Sequence, residues 1–391
     1  MARTILARLG AGLLWLVIIA ALALAIVPHF LDAIYYRGPV TSHFDGHRFY
    51  NPDGDPLVLP PAGRQSRAQF ITHYLTGRQL GGPWPDHVAI HPIDPPARVD
   101  GSRMVATWVG HATVLVQTQG LNILTDPVWA QRSGPFDIGP ARVAAPGIAF
   151  DKLPKIDIVL VSHDHYDHMD LGTLKKLWAR DHPVIVTSLG NDRVIGAAGV
   201  KAAARDWGGR VNVRPGIDVI VSRSHHWGSR WFTDRDRALW SSFVVTLPGG
   251  NLFFAGDTGA GDLHWPVEAA AYGPVRLALI PIGAFRFEPG QMESGAHIGP
   301  VDAVEVFRRL GAARGIGVHW GTFHLSREAY DTPPKLLAAA MACTGQGGTF
   351  DTVPIGVPRE IAPYAPPAPK PVMPRDALLR CLDTPAVRAL Q

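Results

Sequence analysis

Cysteine is almost absent, with Cys343 and Cys381 the only two in 391 residues. Two thiols exclude a disulfide framework and leave one pairing, which needs a close Cα approach that a sequence does not reveal. Charge is scarce as well, at 18% of residues, with a net +4 and a pI near 9.1. So small a basic excess gives no signature of nucleic-acid binding and agrees with an anionic substrate or an acidic surface. Disorder is excluded by the 47% hydrophobic content, which suits one large globular domain or two modest ones.

One long apolar run stands out, from Leu9 to Val27, preceded by Arg3 and Arg8. Its length predicts a transmembrane helix in residues 1–30. The flanking arginines predict a single-pass inner-membrane protein with the catalytic domain on the periplasmic side. The alternative is a signal segment cleaved near Ala21, Ala23 or Ala25, with release to the periplasm. Residues 31–100 follow as an irregular arm rich in Pro, Gly, aromatics and His, with one short helix near Arg67 to Thr76. The arm histidines (His43, His47, His73, His87 and His91) lack the clustering of metal ligands. A catalytic domain is expected over 101–345. Residues 346–391 read as a Pro-rich strap with a short helix around Arg375 to Leu382.

The chemistry is densest at Val159 to Asp170. An apolar strand (Ile156, Ile158, Val159, Leu160 and Val161) runs into Ser162-His163-Asp164-His165-Tyr166-Asp167-His168. Packing has no use for three histidines and two aspartates within six residues. Imidazoles and carboxylates in such a cluster suit Zn, Fe or Mn, and one loop of this kind can face two cations. The same grammar of strand followed by ligand recurs downstream. Asp218 to Ser222 leads to His225-His226, and Leu252 to Ala255 leads to Gly256-Asp257. Val275 to Ile282 leads to a loop with Glu288, Glu293 and His297, and Gly315 to Val318 leads to His319. Function concentrates on loops held by a rigid scaffold. Upstream, Met104 to Trp108, Thr113 to Thr118 and Leu121 to Leu124 read as an antiparallel meander. His111 in that meander is either structural or beside the metals. Asp126 is either a turn residue or an orienting partner for a ligand histidine.

Taken together, the histidine loop, His226, Ala255-Gly256-Asp257-Thr258-Gly259 and His319-Trp320-Gly321-Thr322 resemble the metallo-β-lactamase superfamily. Within it the chain is similar to the N-acylphosphatidylethanolamine-hydrolysing phospholipase D group. That similarity rests on Thr107 to Thr113, Asn122 to Pro127, Pro281 to Ala284 and His319 to Phe323, and it covers about Gly38 to Ala340. The resemblance implies an α/β fold, an αββα sandwich of two mixed β-sheets flanked by helices, here with the N-terminal transmembrane helix added. It implies two Zn2+, with Fe or Mn as alternatives. His163, His165 and His226 are expected to hold one metal, Asp167, His168 and His319 the other, and Asp257 to bridge. His226 is preferred over its neighbour His225. A metal-bridging hydroxide is the implied nucleophile, with Asp164 orienting it, His297 donating to a phosphate oxygen or leaving group, and His111 nearby.

The implied activity is that of a membrane-associated, zinc-dependent phosphodiesterase of phospholipase D type. Its partners are a phospholipid substrate and the membrane, with no nucleic acid and with a homodimer left open. The same scaffold also serves lactone and carboxylic ester hydrolases. A non-catalytic, membrane-tethered binding protein is the third reading, and it predicts lost ligands.

Overall fold

Buried side chains alternate along the strands with period two, and that alternation builds the layers of this molecule. The computed structural model describes residues 2–31, 34–55, 81–231, 233–287, 291–292, 295–368 and 371–390. The helix expected near Arg67 to Thr76, His73, Glu288 and Glu293 lie outside them.

The first sheet contains β1 (Met104–Gly110), β2 (Thr113–Thr118), β3 (Leu121–Thr125), β4 (Ile158–Val161), β5 (Val184–Ser188) and β6 (Ala203–Arg205). The expected meander is present: β1, β2 and β3 pair antiparallel, and β3 through β6 then continue in parallel. The second sheet contains β7 (Arg210–Arg214), β8 (Ile217–Ser222), β9 (Ser242–Val245), β10 (Asn251–Phe254), β11 (Val275–Pro281), β12 (Arg314–Val318) and β13 (Phe350–Asp351). It is antiparallel through β10 and parallel from β10 to β13. A last strand, β14 (Pro358–Ile361), lies within the strap and pairs antiparallel with β1 as an edge strand, with its proline at the first position.

Ile158 and Leu160 of β4 face the second sheet and pack with Val219, Val221, Phe254 and Leu279. Their neighbours Val159 and Val161 point outward, against Leu174, Leu177 and Ile195. On the far side, Val244, Phe253 and Ile280 meet Val301, Phe307, Leu337 and Met341. Each such side chain, fully buried, contributes roughly 1.5–3 kcal/mol. Three apolar layers thus separate two sheets and two sets of helices, an αββα sandwich. The helices on the first sheet include Leu171–Asp181 and Asn191–Gly196, and those on the second include Trp265–Ala270, Pro300–Arg309 and Thr332–Cys343. The helix Arg375–Leu382 buries Leu378 and Leu382 in the outer layer of the second sheet. A Cys343–Cys381 disulfide staples it there, with a Cα separation of 6.1 Å.

The N-terminal expectation is corrected. Residues Ala2–Leu31 form one α-helix, but among the described residues no helix is long and apolar enough to cross a membrane. The transmembrane helix and the single-pass inner-membrane placement with a periplasmic domain are therefore both withdrawn.

Candidate metal centre

The strands β8, β10, β11 and β12 run in one direction, so the loops after them open at one edge of the second sheet. The loop after β4 meets them there. The local sequence fixes that loop at both ends. Asp126 Oδ1 accepts from the Ser162 amide (2.7 Å) and Asp126 Oδ2 from the Ser162 hydroxyl (2.6 Å), while Asp170 caps the following helix by accepting from the Thr173 amide. Gly256 brings in Asp257. A Cβ at Gly256, whose φ is +62°, would lie 2.6 Å from Ser162 Cβ, so no other residue lets the two loops approach so closely.

Four overlapping groups of side chains can hold a cation: His111 with Asp167, His168 and His319; His163 with His165 and His226; His163 with His168 and Asp257; and His226 with Asp257 and His297. His163 Nε2 and His165 Nδ1 are 2.8 Å apart, and His168 Nε2 and His319 Nε2 are 3.2 Å apart. Asp257 Oδ2 lies 3.0 Å from His168 Nε2, 3.1 Å from His319 Nε2, 3.7 Å from His297 Nδ1 and 3.9 Å from His226 Nε2. His111 Nε2 lies 2.9 Å from Asp167 Oδ2, and its carbonyl accepts from the His319 amide. Both His111 and His319 adopt left-handed backbone conformations, a strain that non-glycine residues accept mainly at functional turns.

Behind the cluster a second set of contacts fixes the rings. His168 Nδ1 is 2.6 Å from Asp126 Oδ2, and His163 Nδ1 is 2.9 Å from the Ser162 hydroxyl that Asp126 also holds. One buried carboxylate thus orients two of the imidazoles. His226 Nδ1 bonds the Ala296 carbonyl at 2.8 Å, and the arm supports the same turn, with Asn51 donating to the His226 carbonyl. His225 faces the arm, 3.0 Å from Asp53.

Burial pushes His163 well below its usual range, with the nearby His168 and His165 adding to it. It pushes His165, His226 and His297 down to about 3. Burial acts in the same direction on His168 and His319, but Asp257 and Asp167 outweigh it. His168 is raised well above its usual value and His319 to about 9. Burial would raise Asp257 and Asp167, yet neighbouring imidazoles hold both well below the usual carboxylate range.

The structure thus brings together His111, His163, His165, Asp167, His168, His226, Asp257, His297 and His319. Asp164 is not among them. Its carboxylate is fully buried beside Gly228, and burial, with the charge of Asp234 adding, pushes it up to about 8. Asn51 and Arg230, which touch the ligand loops, carry no motif that marks them in the sequence.

Compared with known proteins, the beta-lactamase superfamily domain matches residues 121–320. The chain is 36% identical over 245 residues to the N-acyl-phosphatidylethanolamine-hydrolyzing phospholipase D 1 of Caenorhabditis elegans, covering 60% of this chain and 68% of that one. It is 32% identical over 237 residues to the mitochondrial N-acyl-phosphatidylethanolamine-hydrolyzing phospholipase D of Saccharomyces cerevisiae, covering 59% of this chain and 50% of the yeast protein. Among solved structures, the isothiocyanate hydrolase from Delia radicum gut bacteria aligns with a TM-score of 0.52 at 16% identity, over 66% of this chain and 98% of that one, a likeness of fold alone. The chain belongs to the metallo-β-lactamase superfamily, as a metal-dependent hydrolase with relatives in the phospholipase D group named above.

Proposed function

We propose that the protein cleaves the phosphodiester of N-acylphosphatidylethanolamine-type phospholipids on its distal side, giving phosphatidic acid and an N-acylethanolamine. The observation that carries the reading is the convergence of four imidazoles on one oxygen of Asp257, at 3.0 to 3.9 Å. A carboxylate so surrounded suits a bridge between two divalent cations. The donors fit such ions. All are imidazole or carboxylate, and His226 Nε2 and Asp257 Oδ1 are buried polar atoms with no hydrogen-bond partner. Zinc is the ion we favour, with iron and manganese compatible with the same donors.

In this reading His163, His165 and His226 would hold one ion, Asp167, His168 and His319 the other, and Asp257 would be available to both. Two such ions, when bound, supply Lewis acidity and water activated near neutral pH. The chain supplies the rest. Asp126 and Ser162 fix the tautomers of His168 and His163. His297, whose Nδ1 lies near Asp257 with Phe287 5.7 Å from its ring, faces the same space and, as a neutral imidazole, donates a hydrogen bond to a phosphate oxygen or the leaving oxygen. His111 holds Asp167 in place.

The test is product analysis on zinc-loaded protein. Labelled N-acylphosphatidylethanolamine should yield phosphatidic acid and N-acylethanolamine. Opening of lactones or esters with no phosphodiester cleavage would replace this reading with the carboxylic ester one.

A further inference from the structure

Arg230 lies outside the cluster, on the turn after β8, yet its guanidinium reaches the histidine loop. One nitrogen, Nη1, donates to the carbonyls of Asp164 and Met169, each at 2.9 Å. Those two residues bracket His165, Asp167 and His168. The guanidinium carbon, Cζ, also lies over the Tyr166 ring, 3.9 Å from its centroid. Asp164 and Met169 are themselves buried, so few other donors can reach their carbonyls.

The turn that carries Arg230 is built to hold it. Asp234, fully buried, accepts from the amides of Arg230 (3.1 Å) and Trp231 (2.8 Å) and from the Ser229 hydroxyl (2.7 Å). Tyr35, from the arm, donates to the other oxygen of Asp234 at 2.8 Å. Gly228 and Asp236 close the same turn through a backbone hydrogen bond of 2.7 Å. A continuous path therefore runs from Tyr35 through Asp234 to Arg230 and on to the ligand loop. Tyr35 lies outside the matched domain.

We propose that Arg230 is a positioning residue for the cation site, tying the two ends of the 163–168 ligand loop together and so setting how tightly both cations are held. The proposal rests on the two-cation reading of that loop and is independent of the substrate. Arginine suits the task because a flat guanidinium can stack on Tyr166 while the two hydrogens of one nitrogen diverge to two carbonyls. A lysine ammonium lacks that plane.

The test uses no substrate. The full chain is stripped with chelator and titrated with zinc against a competing chromophoric chelator. Cobalt(II) is then loaded and its visible spectrum recorded. Arg230→Met keeps the aliphatic stem and removes the donors. It should weaken cation binding by roughly 10- to 100-fold, the usual effect of losing a group that orders a ligand, and alter the cobalt spectrum. Arg230→Lys should recover part of the affinity, leaving a loss of a few-fold. Tyr35→Phe should shift it in the same direction by less. Parent-like affinity and spectrum in Arg230→Met would overturn the proposal, whatever its melting temperature. If Arg230→Met does not fold, Arg230→Lys decides: parent-like affinity there overturns the proposal equally.

Discussion

The two halves of the cluster share Asp257 but differ in charge. Around His163, His165 and His226, burial dominates and the imidazoles are neutral at any ordinary pH. Around His168 and His319, carboxylates outweigh burial and the imidazoles keep their protons, His319 up to about 9. The difference lies in the neighbours. His168 has Asp126, Asp167 and Asp257 within 3.5 Å, whereas the carboxylate nearest His226 among the described residues is Asp257, at 3.9 Å. A cation entering the neutral half meets free nitrogens, and one entering the carboxylate half must first displace protons.

The largest effect should come from removing what the halves share. Asp257→Asn is expected to lower turnover by roughly 10⁴-fold or more and to reduce metal content, because a neutral amide neither bridges two ions nor balances their charge. Parent-like metal content with unchanged turnover would show the halves to be independent. His297 comes next, since it lies near Asp257 and its ring is 5.0 Å from His226 and 5.6 Å from His319. His297→Ala should cut phospholipid turnover by roughly 10²- to 10⁴-fold with metal content near the parent value. A nitrophenyl phosphodiester, with its better leaving group, should suffer less if proton donation is what is lost. Equal losses on both would assign the histidine to phosphate binding instead.

The charge difference itself predicts a pH split. His319 binds a proton below about 9 that the cation must expel, and His168, raised as well, binds another, so affinity at the carboxylate half should rise over pH 7–9 by about tenfold per unit for each proton expelled. At the neutral half, with His165 and His226 near 3, affinity should be flat over pH 7–9. Calorimetry in buffers of different ionisation enthalpy reads the released protons directly, and equal release at both ions would erase the distinction. The smallest effect on either half should come from the disulfide. Cys381→Ser removes a link across a separation of 38 residues and should cost about 2–4 kcal/mol of stability, read by denaturant unfolding, with metal content unchanged.

Much of this was legible in the sequence, unevenly. The β1–β3 meander and the strand ahead of the histidine loop follow from short apolar, β-branched runs, the last of them buried on both faces, and the loop itself announces a metal site. Asp164 belongs to the same motif yet points away. Side chains alternate along an extended loop, so when His163 and His165 face the cluster the residue between them faces the other way. From the residues alone, His226, Asp257 and His319 were readable only as ligands at strand ends, because the strands that gather them are spread from Ile217 to Val318. Arg230 and Asn51 carried no signal, since their contacts to backbone carbonyls exist only once the chain is folded. The helix Thr332–Cys343 carries Pro333 and Pro334 in its first turn, where prolines are tolerated because first-turn amides need no partner within the helix. The apolar N-terminal run suggested a membrane crossing from hydropathy alone, and that expectation did not survive.

The central claim is that one chain holds two cations across Asp257, and metal analysis of the purified protein tests it most directly. Mass spectrometry of protein saturated and then freed of excess ion should find close to two divalent cations per chain, falling to one or fewer in Asp257→Asn. A fully active parent that holds a single cation per chain would contradict it.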